Sequence, residues 1–263
     1  MKNLFREGIA TVLVVSMAFV EPFTIQASPL FGQITSSCPA CQDFNAAEKL
    51  PSKVVENAAI RDLSLVRKKF EAGTLRAEDV RAAVTSSRTY FAHLEEIGFN
   101  AVADSKFKDP SVQKQILEFT PTDEEIGLVS EKLSREGTVT ISKEEVKRRF
   151  SLSYGERRRL LDEFNNVGVA GIQARIIQSL ANLETRTALF SASEKALKPV
   201  RLLTSKAPAV LSAPTPEVDL CGWLEFIGYG FAFLCLLGCF PCCGAALVME
   251  IYAWLCEHGL LVV

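Results

Sequence analysis

Histidine is almost missing from this chain: His93 and His258 are the two in 263 residues. Neither has a Ser, Cys or carboxylate at a recognisable catalytic spacing, which leaves little room for imidazole chemistry. A glycine-rich phosphate loop and a paired-carboxylate signature are also lacking, so neither enzyme activity nor a cofactor is expected. Excess charge of one sign is lacking too. The formal net charge is −2, from 29 Lys+Arg against 31 Asp+Glu, which gives no global pull toward nucleic acid. With 48% hydrophobic and 23% charged residues, wholesale disorder is excluded. The sharpest absences are local. Residues 207–263 hold no Lys or Arg, and the 24 residues from Phe226 to Met249 hold no charge at all.

What is present is unevenly shared. Residues 1–27 are neutral overall, and residues 28–206 carry 27 Lys+Arg against 24 Asp+Glu. Residues 207–263 carry five acids: Glu217, Asp219, Glu225, Glu250 and Glu257. Cysteine divides the same way, with Cys38 and Cys41 near the front and Cys221, Cys235, Cys239, Cys242, Cys243 and Cys256 in the last 43 residues. That tail density, about 14%, exceeds the roughly 8–10% that marks a small disulfide scaffold.

The front reads as an export signal. Lys2 and Arg6 form a basic n-region, Ile9 to Val20 a 12-residue apolar run, and Ala27-Ser28 a small-residue exit. Twelve residues rise about 18 Å as a helix, short of a roughly 30 Å hydrocarbon core. Residues 1–27 are therefore expected to be a cleaved signal peptide; the alternative is an uncleaved anchor stretched through Phe23 and Ile25. Export makes the cysteines candidates for pairing.

Residues 28–198 carry helical punctuation. Val54, Ala58, Ile60, Leu63, Leu65, Val66 and Phe70 make an apolar stripe that Gly73 stops. Thr74 is placed to cap a helix toward Ile97, and Asp109-Pro110 supplies a cap and an N1 proline. Thr122 with Glu125, and Ser142 with Glu145, are capping boxes. Helices over roughly Tyr154–Asn165 and Val169–Ala196 complete a bundle, with Thr138–Ile141 the one short strand-like stretch. Residues 199–220 then carry Pro199, Pro208, Pro214 and Pro216 without apolar periodicity, which predicts an exposed, cleavable linker.

In the tail, Pro241 breaks the apolar run and Gly238 and Gly244 flank it, which predicts a hairpin of two helices, Phe226–Phe240 and Cys242–Cys256. Each rises about 22 Å, too short to span a hydrocarbon core comfortably. All eight cysteines are disulfide candidates. In the tail the spacing permits bridges at both the turn and the open end, but six cysteines allow 15 connectivities. A membrane-anchoring hairpin with free or acylated cysteines is the competing reading. Cys38-Pro39-Ala40-Cys41 resembles a redox dithiol, but no strand precedes it, and a structural disulfide is preferred. No further ligands sit at zinc spacing.

Arg148, Arg149, Arg157, Arg158 and Arg159 lie on two neighbouring helices around a Ser-Leu-Ser-Tyr-Gly turn, superficially like a helix-turn-helix. The export signal and the interleaved Glu144, Glu145, Glu156, Asp162 and Glu163 speak against DNA and for a solvated face. A more specific alternative has these arginines meeting Glu217, Asp219, Glu250 and Glu257 of the tail.

The apolar Cys235-Leu236-Leu237-Gly238-Cys239 and Cys242-Cys243-Gly244-Ala245-Ala246 segments carry a resemblance. With export signal, helical middle, linker and cysteine-rich tail, the chain resembles halocin C-type (microhalocin) antimicrobial-peptide precursors. Its architecture is also similar to the sporulation-delaying protein family. The resemblance implies an exported precursor, with residues 28–198 a pro-segment that can confer self-protection. Residues 221–263 would then be a peptide acting on a target-cell membrane. Signal peptidase and a processing protease would be its partners, and no nucleic acid would. The expectation is thus an all-α chain: a helical pro-region bundle, a Pro-rich linker and a small disulfide-stapled helical hairpin. It would be secreted; the alternative is an envelope-anchored interaction protein held in the cell membrane by its tail.

Overall fold

The cap chemistry written in the sequence starts several of the helices. In the computed structural model, which describes residues 53–192, 220–236 and 239–261, Thr122 accepts a hydrogen bond from the Glu125 N–H (3.2 Å). The Glu125 carboxylate accepts in return from the Thr122 N–H (2.7 Å). Ser142 and Glu145 repeat the exchange at 3.1 and 2.8 Å, and Ser153 with Glu156 makes a third box. Asp109 caps the Ser111 and Val112 amides ahead of Pro110. Each exchange satisfies amides that a helix start leaves orphaned.

The described helices run α1 (Lys53–Glu71), α2 (Ala77–Glu96), α3 (Phe99–Lys108), α4 (Pro110–Glu118), α5 (Asp123–Leu133), α6 (Lys143–Arg149), α7 (Tyr154–Ala192), α8 (Leu220–Leu236) and α9 (Phe240–Glu257). The all-α class holds. Within the described residues, the strand-like stretch amounts to one isolated bridge between Arg135 and Val139.

Several details differ from the sequence reading. α2 is capped at Arg76, whose N–H donates to the Asp79 carboxylate (3.1 Å), while the Thr74 hydroxyl turns back to the Lys69 carbonyl. The break expected between Asn165 and Val169 is present within α7, at Gly168, where φ is +69°. There the Asp104 carboxylate accepts from the Val169 N–H (2.8 Å) and so caps the second half of the helix. Pro241 does not separate the hairpin helices. It sits in the first turn of α9, where the missing N–H would be an orphan in any case, and the chain reverses between Leu236 and Phe240. α8 already begins at Leu220. The signal segment 1–27, Cys38, Cys41 and the linker up to residue 219 lie outside the described residues.

The described residues all belong to one compact unit. Within it the α8–α9 hairpin is the innermost layer. Every residue of α8 from Phe226 to Leu236, and every residue of α9 from Pro241 to Cys256, is buried. α9 lies on α1 and α5, while α8 lies on α5, α6 and α7. Helices apolar on all sides fold stably when they are covered on all sides, and here the amphipathic middle helices supply that cover.

Candidate functional site

The hairpin is closed at both ends. Cys221–Cys256 bridges its open end, and Cys235–Cys243 and Cys239–Cys242 bridge the turn. The Cα separations of 5.6, 4.8 and 5.2 Å lie within the range a disulfide accepts.

Around this stapled unit the middle region forms a sheath of interlocking rings. Phe70 meets Trp254 edge-on at 6.2 Å, and Phe91 meets Tyr252 at 6.0 Å. Phe107 contacts both Phe226 and Phe231, Phe119 lies 4.9 Å from Phe233, and Phe150 lies 4.9 Å from Tyr229. Burying such side chains is worth roughly 1.5–3 kcal/mol each, so apolar contact dominates this interface.

Polar contacts are set into the apolar surface, and side chains of the hairpin make four of those described. Tyr229 donates its hydroxyl to the Ile116 carbonyl (2.7 Å) and accepts from Arg157 Nη1 (2.8 Å), which also donates to the Phe119 carbonyl. Tyr252 donates to the Ser87 hydroxyl (2.6 Å), and the Trp223 indole donates to Glu163 (2.7 Å). The fourth is ionic. Arg149, with a side chain only 3% exposed, donates Nε to Glu250 (2.8 Å) and Nη1 to Glu225 (3.3 Å) and Glu257. Arg148 adds a second cation against Glu257 (2.9 Å).

Electrostatics follow from burial. Desolvation pulls the Arg149 pKa down, but Glu250 and Glu257 outweigh it and hold the guanidinium charged. Desolvation pushes Glu250 upward, and Arg149 offsets this only in part. Three carboxylates share two guanidiniums here, and Glu250 is the most buried of the three. Burial raises Tyr229 to about 12 against the opposing pull of Arg157, and it also raises Tyr252 and Tyr90. Glu56 on α1 is raised by burial as well; its carboxylate lies where a Cβ on Gly244 would stand.

Of the five arginines singled out from sequence, Arg148, Arg149 and Arg157 reach the hairpin. Arg158 and Arg159 pair one turn along their own helix, with Asp162 and Glu163, and Glu163 is the acceptor for Trp223. Glu250 and Glu257 are both met by arginine; Glu217 and Asp219 lie outside the described residues. The sequence reading missed Tyr229, Tyr252, Trp223 and Glu225. A signal was available: a polar tip in a nearly uniform apolar run must find a partner when buried. Among the described residues no group of three His, Cys, Asp or Glu is placed to hold a metal ion. None of the helices described is long and apolar enough to cross a membrane.

Compared with protein-family models, curated proteins and solved structures, the chain matches none.

Proposed function

We propose that this chain is the precursor of a secreted, bacteriocin-like antimicrobial peptide. Its C-terminal cysteine-rich hairpin acts on competitor membranes, and its helical middle is the pro-segment that carries the hairpin there safely. The observation that carries this reading is the burial of a triply bridged hairpin, charge-free from Phe226 to Met249, beneath helices of the same chain. A free hairpin of this composition would aggregate or enter the producer's own membrane. Inside the sheath it does neither.

In this reading signal peptidase removes residues 1–27, and a protease cuts within 199–220 to free a peptide beginning near Cys221. The hairpin has no cationic face, so its membrane action relies on apolar area or on a receptor rather than on attraction to anionic lipid. A middle region that fits the hairpin can rebind it, which gives the producer self-protection. The pattern of export signal, helical middle, linker and cysteine-rich tail, similar to halocin C-type precursors, supports the same reading.

Fractionation with mass spectrometry tests it. A fragment covering about 221–263 in the medium, carrying three disulfides and killing sensitive cells, is the expected result. Full-length chain confined to the membrane pellet would instead favour an envelope-anchored protein, and intact 28–263 alone in the medium would refute processing.

A further inference from the structure

The hairpin alone permits the Cys221–Cys256 bridge but leaves it one among 15 connectivities. Apolar contact between the charge-free stretches of α8 and α9 is non-directional, so sliding α9 past α8 by one turn, about 5.4 Å, changes little of the area buried there. Four of the six cysteines fall between Cys235 and Cys243, where short loops close readily in several ways. The Cys221–Cys256 bridge joins residues 35 apart and carries the largest loop-closure cost.

The middle region supplies the missing register. Arg149 touches both helices at once, Glu225 on α8 and Glu250 and Glu257 on α9. Glu225 lies one turn beyond Cys221, and Glu257 directly follows Cys256. The three carboxylates therefore converge on one guanidinium only when the open end of the hairpin is aligned with Cys221 beside Cys256. Tyr229 against Arg157 and Tyr252 against Ser87 fix each helix separately. A hairpin in another register leaves Arg149 buried without its counter-charges, which is strongly unfavourable.

We infer that the helical middle is an intramolecular folding template that selects one disulfide connectivity for the hairpin, with Arg149 the positioning residue that reads it. The chemistry is ordinary thiol–disulfide exchange with a small-molecule disulfide such as oxidised glutathione. One cysteine thiolate of the aligned pair attacks it and expels a glutathione thiolate, forming a mixed disulfide. The other cysteine thiolate then displaces the second glutathione. Two cysteine thiols lose two protons and two electrons, and one oxidised glutathione becomes two reduced ones. This templating goes beyond the antimicrobial reading and operates whether or not the chain is ever cleaved.

The test is oxidative refolding of the reduced, unfolded full chain in a glutathione buffer, followed by non-reducing peptide mapping. The natural chain is expected to recover Cys221–Cys256, Cys235–Cys243 and Cys239–Cys242 as its main set. Arg149→Gln is expected to lower the ratio of Cys221–Cys256 to mispaired forms by at least roughly tenfold. Arg158→Gln, at an exposed site away from the hairpin, leaves that ratio unchanged. Should Arg149→Gln fail to fold, the double variant Glu225→Gln/Glu257→Gln decides, with an expected drop of a few-fold at these less buried partners. Native pairing at natural rate and yield in both variants overturns the inference, even for a peptide that kills.

Discussion

Arg149 sits nearly buried among three carboxylates, and removing one member of such a group leaves the others desolvated and unpaired. Arg149→Gln should therefore lower the unfolding free energy of the full chain by about 3–5 kcal/mol, read from urea denaturation. Adding Glu250→Gln should recover part of that loss; strictly additive losses would contradict direct coupling. The same burial sets the pH response. Tyr229, Tyr90 and Tyr252 all ionise above their ordinary value of 10 in the folded chain. Their contribution is complete below pH 10 and is lost as pH rises through the folded values. Glu56 and Glu250 lie above 4.5, so their contribution is complete below pH 4.5 and shrinks as pH rises through the raised values. Glu145 is lowered, because its hydrogen bonds from Ser142 and its pairing with Arg67 outweigh burial, and it works in the opposite sense only below pH 4.5. The urea midpoint should accordingly hold or rise from pH 7 to 5 and fall above pH 10. A midpoint that drops steadily between pH 7 and 5 would contradict the assignment.

Within the helices, two glycines on opposite faces of α8 separate packing from propensity. A Cβ at Gly230 would press on the Phe107 ring (Cζ at 2.7 Å), which is fully buried and wedged against Phe164 and Phe231. A Cβ at Gly228 would meet only Met249 Cβ, at an ordinary 3.7 Å. Gly230→Ala should destabilise by about 1–3 kcal/mol through overpacking, whereas Gly228→Ala should be neutral or gain up to about 1 kcal/mol of helix propensity. Equal effects in thermal melts would show that α8 is not packed this way. The elements themselves were largely legible. Thr122/Glu125 and Ser142/Glu145 announce helix starts because cap chemistry is local, and Gly168 announces a break because its left-handed backbone suits glycine. Pro241 misled, since proline is equally at home between helices and in a helix's first turn. The bridge partners were not legible, because cysteine spacing constrains the local pairs but not how α8 and α9 align. Nor was the identity of what covers Ile60, Leu63 and Phe70. A 3.6-residue stripe says which face is buried, not against which distant segment.

At the scale of the molecule, composition and contacts divide the chain differently. Charge and cysteine separate residues 28–206 from the tail, yet the α8–α9 hairpin of that tail is the innermost layer of the compact unit. Removing the hairpin leaves an apolar inner surface and an unpaired Arg149, so separately produced 28–206 should bind a separately produced 221–263 peptide at micromolar concentration. Raising salt from about 0.1 to 1 M shortens the screening length from about 10 to 3 Å, and it should weaken that binding only modestly because apolar burial dominates. Titration calorimetry checks this; pieces that ignore each other would reduce the middle to a spacer. In the proposed function, a membrane-active hairpin is held harmless inside its own chain. Dye release from sealed lipid vesicles tests it most directly, using the folded, oxidised chain before and after it is cut within 199–220 and the pieces are separated. The intact chain is expected to leave the vesicles sealed and the isolated hairpin to empty them; vesicles that stay sealed with the isolated, correctly bridged hairpin would contradict the account.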